Sequence, residues 1–175
     1  MATIIAHASI DENGNVKGGK VGDQTGKEVC LRNWYSKPWS FVIRAKNKDI
    51  ASKAAKLATQ IANNNNCGYS QIKRNSLYKE LKKVKYDVSK LSVCDTDCSA
   101  FVTTCYIGAG ITSLGNDINL PTTSTMRNVY ASTGMFDILT DTKYTQSDAW
   151  LEVGYILVKP GSHTVIVVQV EKLTV

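Results

Sequence analysis

Apolar residues recur at the spacing of an amphipathic helix in four segments of the chain. The clearest segment is 49–62, and the residues on its apolar face are Ile50, Ala54, Leu57, Ala58 and Ile61. Asp49 is suited to cap the start of this helix. The asparagines at 63–66 favour its end, because asparagine tolerates the left-handed conformation. Shorter helices are predicted at 76–85, 98–107 and 123–132.

Other segments have the composition of β-strands. Residues 1–9 alternate loosely and are rich in isoleucine, alanine and threonine, which predicts a short strand. Residues 30–45 carry an aromatic cluster and predict a short strand that forms the wall of a groove. Two β-rich runs, 156–159 and 164–171, are separated by a Pro-Gly pair and predict an antiparallel hairpin. Helices and strands in this order indicate an α+β fold.

The composition is that of one globular domain. The chain has 175 residues, of which 43% are hydrophobic and 21% charged. Its formal net charge of +6 favours an anionic partner such as nucleic acid, a membrane surface or a cell wall that carries teichoic acid. The N-terminus lacks the pattern of a signal peptide, and no apolar run approaches the ~20 residues of a membrane helix. We therefore expect synthesis in the cytoplasm and no insertion into a membrane.

A cysteine and a histidine stand in positions that suit nucleophilic catalysis. The five cysteines are odd in number and scattered, which argues against a disulfide framework and leaves a thiol free for chemistry. Cys98 opens an apolar helix, whose free amides and positive dipole end favour thiolate over thiol. His163 precedes the apolar run 165–168, where a strand can hold its ring as the base that takes the thiol proton. Either residue alone is more often a buried structural side chain, but the pair favours catalysis.

Several motifs in this region resemble a known family. Residues 97–102, Asp-Cys-Ser-Ala-Phe-Val, resemble the nucleophile motif of the NlpC-type papain-like cell-wall peptidases and amidases. Residues 120–124, Leu-Pro-Thr-Thr-Ser, are similar to the Leu-Pro-Arg-Thr-Ser stretch that follows it in that family. Residues 154–158 and 161–166 resemble its glycine-aspartate strand and its histidine strand. The resemblance lies within 95–168, under half of the chain, and the remainder resembles phage and clostridial lysin modules more weakly.

The resemblance implies an α+β papain-like fold in which the nucleophile helix packs on an antiparallel sheet. It also implies a cysteine endopeptidase of the endolysin type, without a cofactor, that cleaves an amide bond of the peptidoglycan stem peptide through a thioester. Such an enzyme would be released or exported to act on the cell wall. We expect one catalytic domain over 1–175, with 1–90 as an N-terminal elaboration and 91–175 as the core that carries both motifs. Wall-binding domains are expected elsewhere in a longer protein.

Two departures from the family affect the site. Tyr155 stands where the family has aspartate, so that turn is held differently. The family's third catalytic residue, a polar group on the strand after the base, has no counterpart in the few residues that follow His163. Residues 4–9, Ile-Ile-Ala-His-Ala-Ser, resemble that missing strand, and we hypothesise a circular permutation in which His7 orients His163. Alternatively, His7 is an ordinary strand histidine. The other candidates for orienting the base are Gln169, Asp23 and Gln24.

Two candidate site residues flank the nucleophile in sequence. Tyr86 lies near where the family keeps a tyrosine that hydrogen-bonds beside the cysteine, although a tyrosine packed at a helix end is an equal alternative. Ser99 follows Cys98 directly, and the backbone amide of either residue is placed to hold an oxyanion.

Three further residues are candidates for substrate contact. Asp23 and Gln24 lie in the glycine-rich loop 22–26, which suits either a substrate contact or a plain turn. Trp34 belongs to the aromatic cluster, which can line a groove for substrate or pack in the core.

Other chemistries have less support. Cys94 and Cys98 lack the partner thiols or histidines that zinc requires, so no metal is expected. The lysines of 76–85 have no interleaved aromatic residues, which favours a solvated face over nucleic-acid binding. Three alternatives to an endopeptidase stay open: an N-acetylmuramoyl-L-alanine amidase with the same Cys-His machinery, an enzyme that transfers acyl groups on proteins, and a wall-binding module without catalysis.

Overall fold

The computed structural model of the protein describes residues 2–171 and contains both strands and helices. The strands are β1 (Ile4–Ala8), β2 (Val29–Asn33), β3 (Phe41–Ala45), β4 (Cys67–Tyr69), β5 (Cys94–Thr96), β6 (Phe136–Leu139), β7 (Ile156–Lys159) and β8 (His163–Gln169). The α-helices are α1 (Lys48–Ala62), α2 (Ser76–Lys83), α3 (Cys98–Gly108), α4 (Met126–Ser132) and α5 (Thr142–Thr145).

The strands form two sheets. Six antiparallel strands lie in the order β2-β1-β8-β7-β3-β6, while β4 and β5 pair in parallel beside them. Helices α1 and α3 pack on the larger sheet. The predicted α+β class, with the nucleophile helix on an antiparallel sheet, is confirmed and is consistent with a papain-like fold. Because β1 pairs with β8, the first strand of the chain lies beside the last, as the permuted arrangement requires.

Side-chain alternation along the central strands divides the core into two parts. Ala6 and Ala8 of β1 face the helices and belong to the larger part. Ile5 and Val165 face away from the helices and belong to the smaller part. Every residue from 98 to 107 is buried, because α3 packs against the sheet, α1 and α2.

The first predicted helix is confirmed as α1, but its cap differs. The side chain of Asn47 accepts hydrogen bonds from the backbone N–H groups of Asp49 and Ile50, at 2.9 and 3.0 Å. Asn47 has extended backbone angles and is the N-cap, so the prediction of Asp49 as the cap is wrong. Asp49 lies in the first turn, where its negative charge interacts favourably with the positive end of the helix dipole.

The other predicted helices are also present, two of them shorter than expected. The predicted helix 76–85 is α2, which ends at Lys83 because Lys85 and Tyr86 adopt φ values of 52° and 63°, outside the right-handed helical region. The predicted helix 123–132 is α4, which begins at Met126. Within residues 2–171, no helix has the length and apolar character needed to cross a bilayer.

The predicted hairpin is confirmed as β7 and β8, with Lys159 opposite His163 at the turn. The predicted strand 1–9 is β1, and its first residue, Met1, lies outside the described residues. The region 30–45 holds two strand segments separated by aromatic residues, rather than one. The strands β4, β5 and β6 are three or four residues long, too short for a readable alternation, and were not predicted.

Candidate active site

The two histidines of the chain lie side by side at one end of the large sheet. His163 is the first residue of β8, and His7 lies near the end of β1. Because the two strands are antiparallel neighbours, the end of one meets the start of the other. The Nδ1 atom of His7 lies 2.9 Å from Nε2 of His163, and the ring centroids are 5.1 Å apart. The structure therefore pairs both predicted histidines through one hydrogen bond.

Both imidazoles are buried and neutral at neutral pH. Burial lowers the pKa of His163 to about 4 and the pKa of His7 to about 3. The positive charges of Arg32 and Lys37 lower the pKa of each ring further. A bond between two neutral imidazoles needs one N–H donor and one bare nitrogen acceptor, so the contact selects the tautomer of each ring.

Cys98 lies beside the strand that carries His163. It is the first residue of α3, and its sulfur accepts hydrogen bonds from the backbone N–H groups of Thr164 and Ser99. The sulfur therefore adjoins the residue that follows the candidate base. Cys98 and His163 are both buried but not fully enclosed, since each is 8% exposed.

The Cys98 thiol is protonated at rest. Burial raises the pKa of the thiol to about 12, and the carboxylate of Asp97 raises it further. A helix start contributes about 0.3–1 kcal/mol, which is less than one unit of pKa and too little to offset the loss of solvent around the sulfur. The prediction that the start of α3 ionises the resting thiol is therefore wrong.

Two aromatic side chains form a wall beside the histidine pair. The ring of Trp39 lies 6.3 Å from that of His163, and the ring of Tyr35 lies 6.3 Å from that of His7. The indole N–H of Trp39 donates to the backbone oxygen of Tyr35 at 2.9 Å, which holds the two together. Trp34, the predicted substrate contact, packs against the smaller part of the core, as Tyr35 does.

Two cations stand next to this aromatic wall. The guanidinium carbon of Arg32 lies 4.2 Å from the ring centroid of Tyr35. Lys37 lies on the same segment, two residues after Tyr35, and acts on the pKa of both histidines. Within residues 2–171, neither cation forms a salt bridge, so the entrance to the site carries a positive potential.

Tyr69 of β4, rather than Tyr86, lies next to Cys98. Burial and the nearby Cys98 sulfur both raise the pKa of Tyr69 above its ordinary value, and the side chain of Gln71 donates to its hydroxyl at 3.3 Å. Tyr86 packs against Gly108 at the opposite end of α3, about 15 Å along the helix axis from Cys98. Sequence analysis missed Tyr69 because its three-residue strand shows no periodicity.

The other predicted orienting residues lie away from the histidine pair. Asp23 accepts two backbone N–H bonds within its own turn, the shorter at 2.7 Å. Gln24 donates to two carbonyl oxygens of the same loop, the shorter bond being 3.0 Å. Gln169 is at the opposite end of β8 from His163, about 20 Å along the strand. The structure brings none of the three to the candidate base.

Arg74 is a residue of this region that sequence analysis did not identify. Its guanidinium donates to the carboxylate of Asp97 at 2.7 Å and to the hydroxyl of Ser99 at 2.9 Å. The Ser99 side chain is therefore engaged away from the sulfur, and only its backbone amide faces Cys98. An arginine in a loop carries no sequence signal for a partner more than twenty residues away.

Among residues 2–171, no three His, Cys, Asp or Glu side chains converge as a metal-ligand set. A cavity of about 530 Å³ lies among Arg44, Ala51 and Tyr155, and neither Cys98 nor His163 lines it.

Comparison with known proteins gives one family. Residues 5–173 match the family model described as ELLD, Endolysin-like domain. No curated protein and no solved structure matches the chain. The match covers nearly the whole chain and indicates an endolysin-type module that acts on the peptidoglycan of the cell wall. It does not name the NlpC-type family that the motifs resemble.

Proposed function

The chain belongs to the endolysin-like domain family, and from this membership we propose that it is a cysteine endopeptidase of the peptidoglycan stem peptide. Cys98 is the nucleophile, His163 is the base, and His7 orients the base. Residues 1–175 act as one catalytic module.

The observation that carries the proposal is the 2.9 Å contact between His7 Nδ1 and His163 Nε2. A base that accepts a proton on Nδ1 must carry its own hydrogen on Nε2. If His163 Nε2–H donates to His7 Nδ1, then the bare Nδ1 of His163 is free for the thiol proton. This is the role of the third residue in catalytic triads generally, namely to fix the tautomer and orientation of the base.

The neutral resting state determines how the reaction starts. With the thiol pKa near 12 and the pKa of His163 near 4, no stable thiolate–imidazolium pair exists before substrate binds. The proton moves from Cys98 Sγ to His163 Nδ1 while the sulfur attacks the scissile carbonyl carbon. The C–S bond forms, and the carbonyl electron pair moves onto oxygen, where backbone amides at the start of α3 can stabilise it.

The rest of the cycle returns the proton. The imidazolium of His163 donates it to the leaving nitrogen as the C–N bond breaks, which leaves a thioester on Cys98. Water then attacks the thioester carbon, and His163 takes a proton from the water. The C–S bond breaks, the peptide leaves with a new carboxyl group, and His163 returns the proton to the sulfur. Each step uses His163 once as base and once as acid.

The charge at the entrance fits the proposed substrate. Stem peptides carry free carboxylates, and Arg32 and Lys37 flank the aromatic wall without a salt bridge in the described part of the chain. A positive entrance raises the local concentration of an anionic polymer. The net charge of +6 acts in the same direction.

The test is clearance of purified Gram-positive cell walls, followed by mass analysis of the released fragments. The parent protein should clear walls, and Cys98→Ser should not. Cys105→Ala is the matched control, since it removes a buried thiol from the same helix without touching the site. Equal clearance by the parent and Cys98→Ser would overturn the proposal. New N-termini within the stem peptide identify an endopeptidase, whereas intact stem peptides released from the glycan would identify an amidase.

A further inference from the structure

Arg74 connects the start of α3 to a separate loop. Its Nε donates to Asp97 Oδ2 at 2.7 Å, and its Nη2 donates to Ser99 Oγ at 2.9 Å. The same guanidinium donates to the backbone oxygens of Leu120 and Pro121, at 2.6 and 2.8 Å. All three nitrogens of the guanidinium therefore donate hydrogen bonds, which the planar fork of an arginine allows.

The ion pair within this network is shielded from water. The side chains of Arg74 and Asp97 are 12% and 11% exposed. Removing one member of a buried pair leaves the other charge uncompensated, and that charge then acts strongly on its neighbours. Cys98, the proposed nucleophile, follows Asp97 directly in the chain.

Asp97 has two opposite effects at the start of α3. Its Oδ1 accepts a hydrogen bond from the backbone N–H of Ala100 at 2.9 Å and so caps the helix. Its negative charge also raises the pKa of the Cys98 thiol, whereas the positive charge of Arg74 lowers it. The cap is needed to present Cys98 at the helix start, but its charge opposes ionisation of the sulfur.

We propose that Arg74 is a positioning residue for the nucleophile, which holds the start of α3 through Asp97 and Ser99 and offsets the negative charge that the cap places beside Cys98. This role of Arg74 rests on the proposed function, in which Cys98 is the nucleophile. Arg74 does not touch the reacting atoms. It acts through the carboxylate and hydroxyl on either side of the thiol.

Other groups around the sulfur do not supply this compensation. The titratable groups that interact with Cys98, besides Asp97 and Arg74, are Tyr69 and Tyr35, and His163 precedes Thr164, whose backbone contacts the sulfur. Both tyrosines and the histidine are neutral at neutral pH, because burial raises the tyrosine pKa values and lowers that of His163. Among the titratable groups on the described residues around the thiol, Arg74 is therefore the one that brings a positive charge into contact with Asp97.

The experiment measures the reactivity of Cys98 itself, without a substrate. The full chain is treated with iodoacetamide between pH 7 and pH 10, and alkylation of the peptide that contains Cys98 is followed by mass spectrometry. The variants are Arg74→Met and Arg74→Lys. Arg44→Met is the control, since Arg44 also pairs with an aspartate, Asp137, but away from the site.

Arg74→Met should alkylate Cys98 at least about fivefold more slowly than the parent at each pH, because each unit of thiol pKa changes the thiolate fraction about tenfold. Arg74→Lys should recover part of this loss, since it retains the charge but not the fork of donors. Arg44→Met should match the parent. Parental rates in a folded Arg74→Met protein, judged by circular dichroism and melting temperature, would overturn the proposal.

A second readout covers the case in which Arg74→Met does not fold. Arg74→Lys should then lower kcat on wall fragments and leave KM near the parental value, and an unchanged kcat would overturn the proposal. Failure of the proposed function has a different signature: a parent protein that does not clear walls although its alkylation still responds to Arg74. The two results are therefore distinguishable.

Discussion

His7 and His163 share a hydrogen bond of 2.9 Å although 156 positions separate them in the chain. Their strands are neighbours in the sheet, and both rings lie on the side away from α1. In the proposed mechanism, this contact holds His163 as an acceptor toward the Cys98 thiol. Substitution of His7 tests this role directly.

Replacing His7 by alanine should lower kcat at least about tenfold, because the tautomer and orientation of His163 are no longer held. KM should change little, since His7 does not contact substrate in the proposed mechanism. His7→Asn should restore part of the activity, because the asparagine side-chain oxygen can accept from His163 Nε2–H. Steady-state kinetics on soluble wall fragments provide the measurement. An alanine variant with parental kcat and melting temperature would show that His7 is an ordinary strand histidine.

The pH profile of kcat/KM should have its acid limb near pH 4 rather than pH 6.5. Burial lowers the pKa of His163 to about 4, so the base stays neutral and able to accept a proton down to that pH. Activity should therefore persist at pH 5.5, where an ordinary histidine base would be largely protonated. A limb at pH 6.5 would contradict the burial of the ring in the active enzyme.

The free energy of unfolding should decrease as the pH falls from about 6.5 to about 4. Both histidines have folded-state pKa values below the ordinary value of 6.5, so in this window the unfolded chain binds more protons than the native one. Stability from the two buried neutral rings is complete above pH 6.5 and is lost as the pH falls toward their folded pKa values. Urea unfolding at a series of pH values measures this. A double variant, His7→Asn with His163→Asn, should lose less stability over the same range.

Replacing Arg32 or Lys37 by glutamine should raise the pKa of both histidines. Each cation lowers those pKa values now, so its removal relieves the repulsion of an imidazolium. The acid limb of kcat/KM should move upward, and KM for carboxylate-bearing wall fragments should increase. Lys79→Gln, an exposed change on α2, is the matched control and should have neither effect. Imidazole NMR titration reports the pKa values, and a variant with parental values would rule out this electrostatic effect.

Gly154→Ala should destabilise the fold by several kcal/mol, and Gly161→Ala by only about 1–2 kcal/mol. Both glycines have positive φ, 91° and 73°. A Cβ at Gly154 would lie 2.5 Å from the side chain of Ala51 and 2.8 Å from its backbone oxygen, whereas a Cβ at Gly161 meets no atom within 4 Å. Melting curves of the two variants separate backbone strain from steric conflict. Equal losses of stability in the two variants would mean that Gly154 does not pack closely against α1.

Some features of the site were predictable from local sequence, and others were not. Cys98 at a helix start and His163 at a strand start follow from residues within a few positions of each, and the pairing of the first strand with the last followed from the resemblance of residues 4–9 to a missing strand. Tyr69 and Arg74 were not predictable, because each lies on a short or irregular segment that carries no periodic pattern. Tyr86 was selected by its distance in sequence from Cys98, but the structure places it at the far end of α3.

The sequence by itself determined α1 to α4, the closing hairpin, and the presence of one cysteine and one histidine in positions that suit catalysis. These depend on periodicity and on residues close in the chain. Only the tertiary structure decided which atoms of the two histidines meet, that Arg74 holds Asp97, and that the thiol is neutral at rest. Hydrogen-bond partners and loss of solvent depend on which strands and helices pack together, and no local pattern encodes the resulting burial.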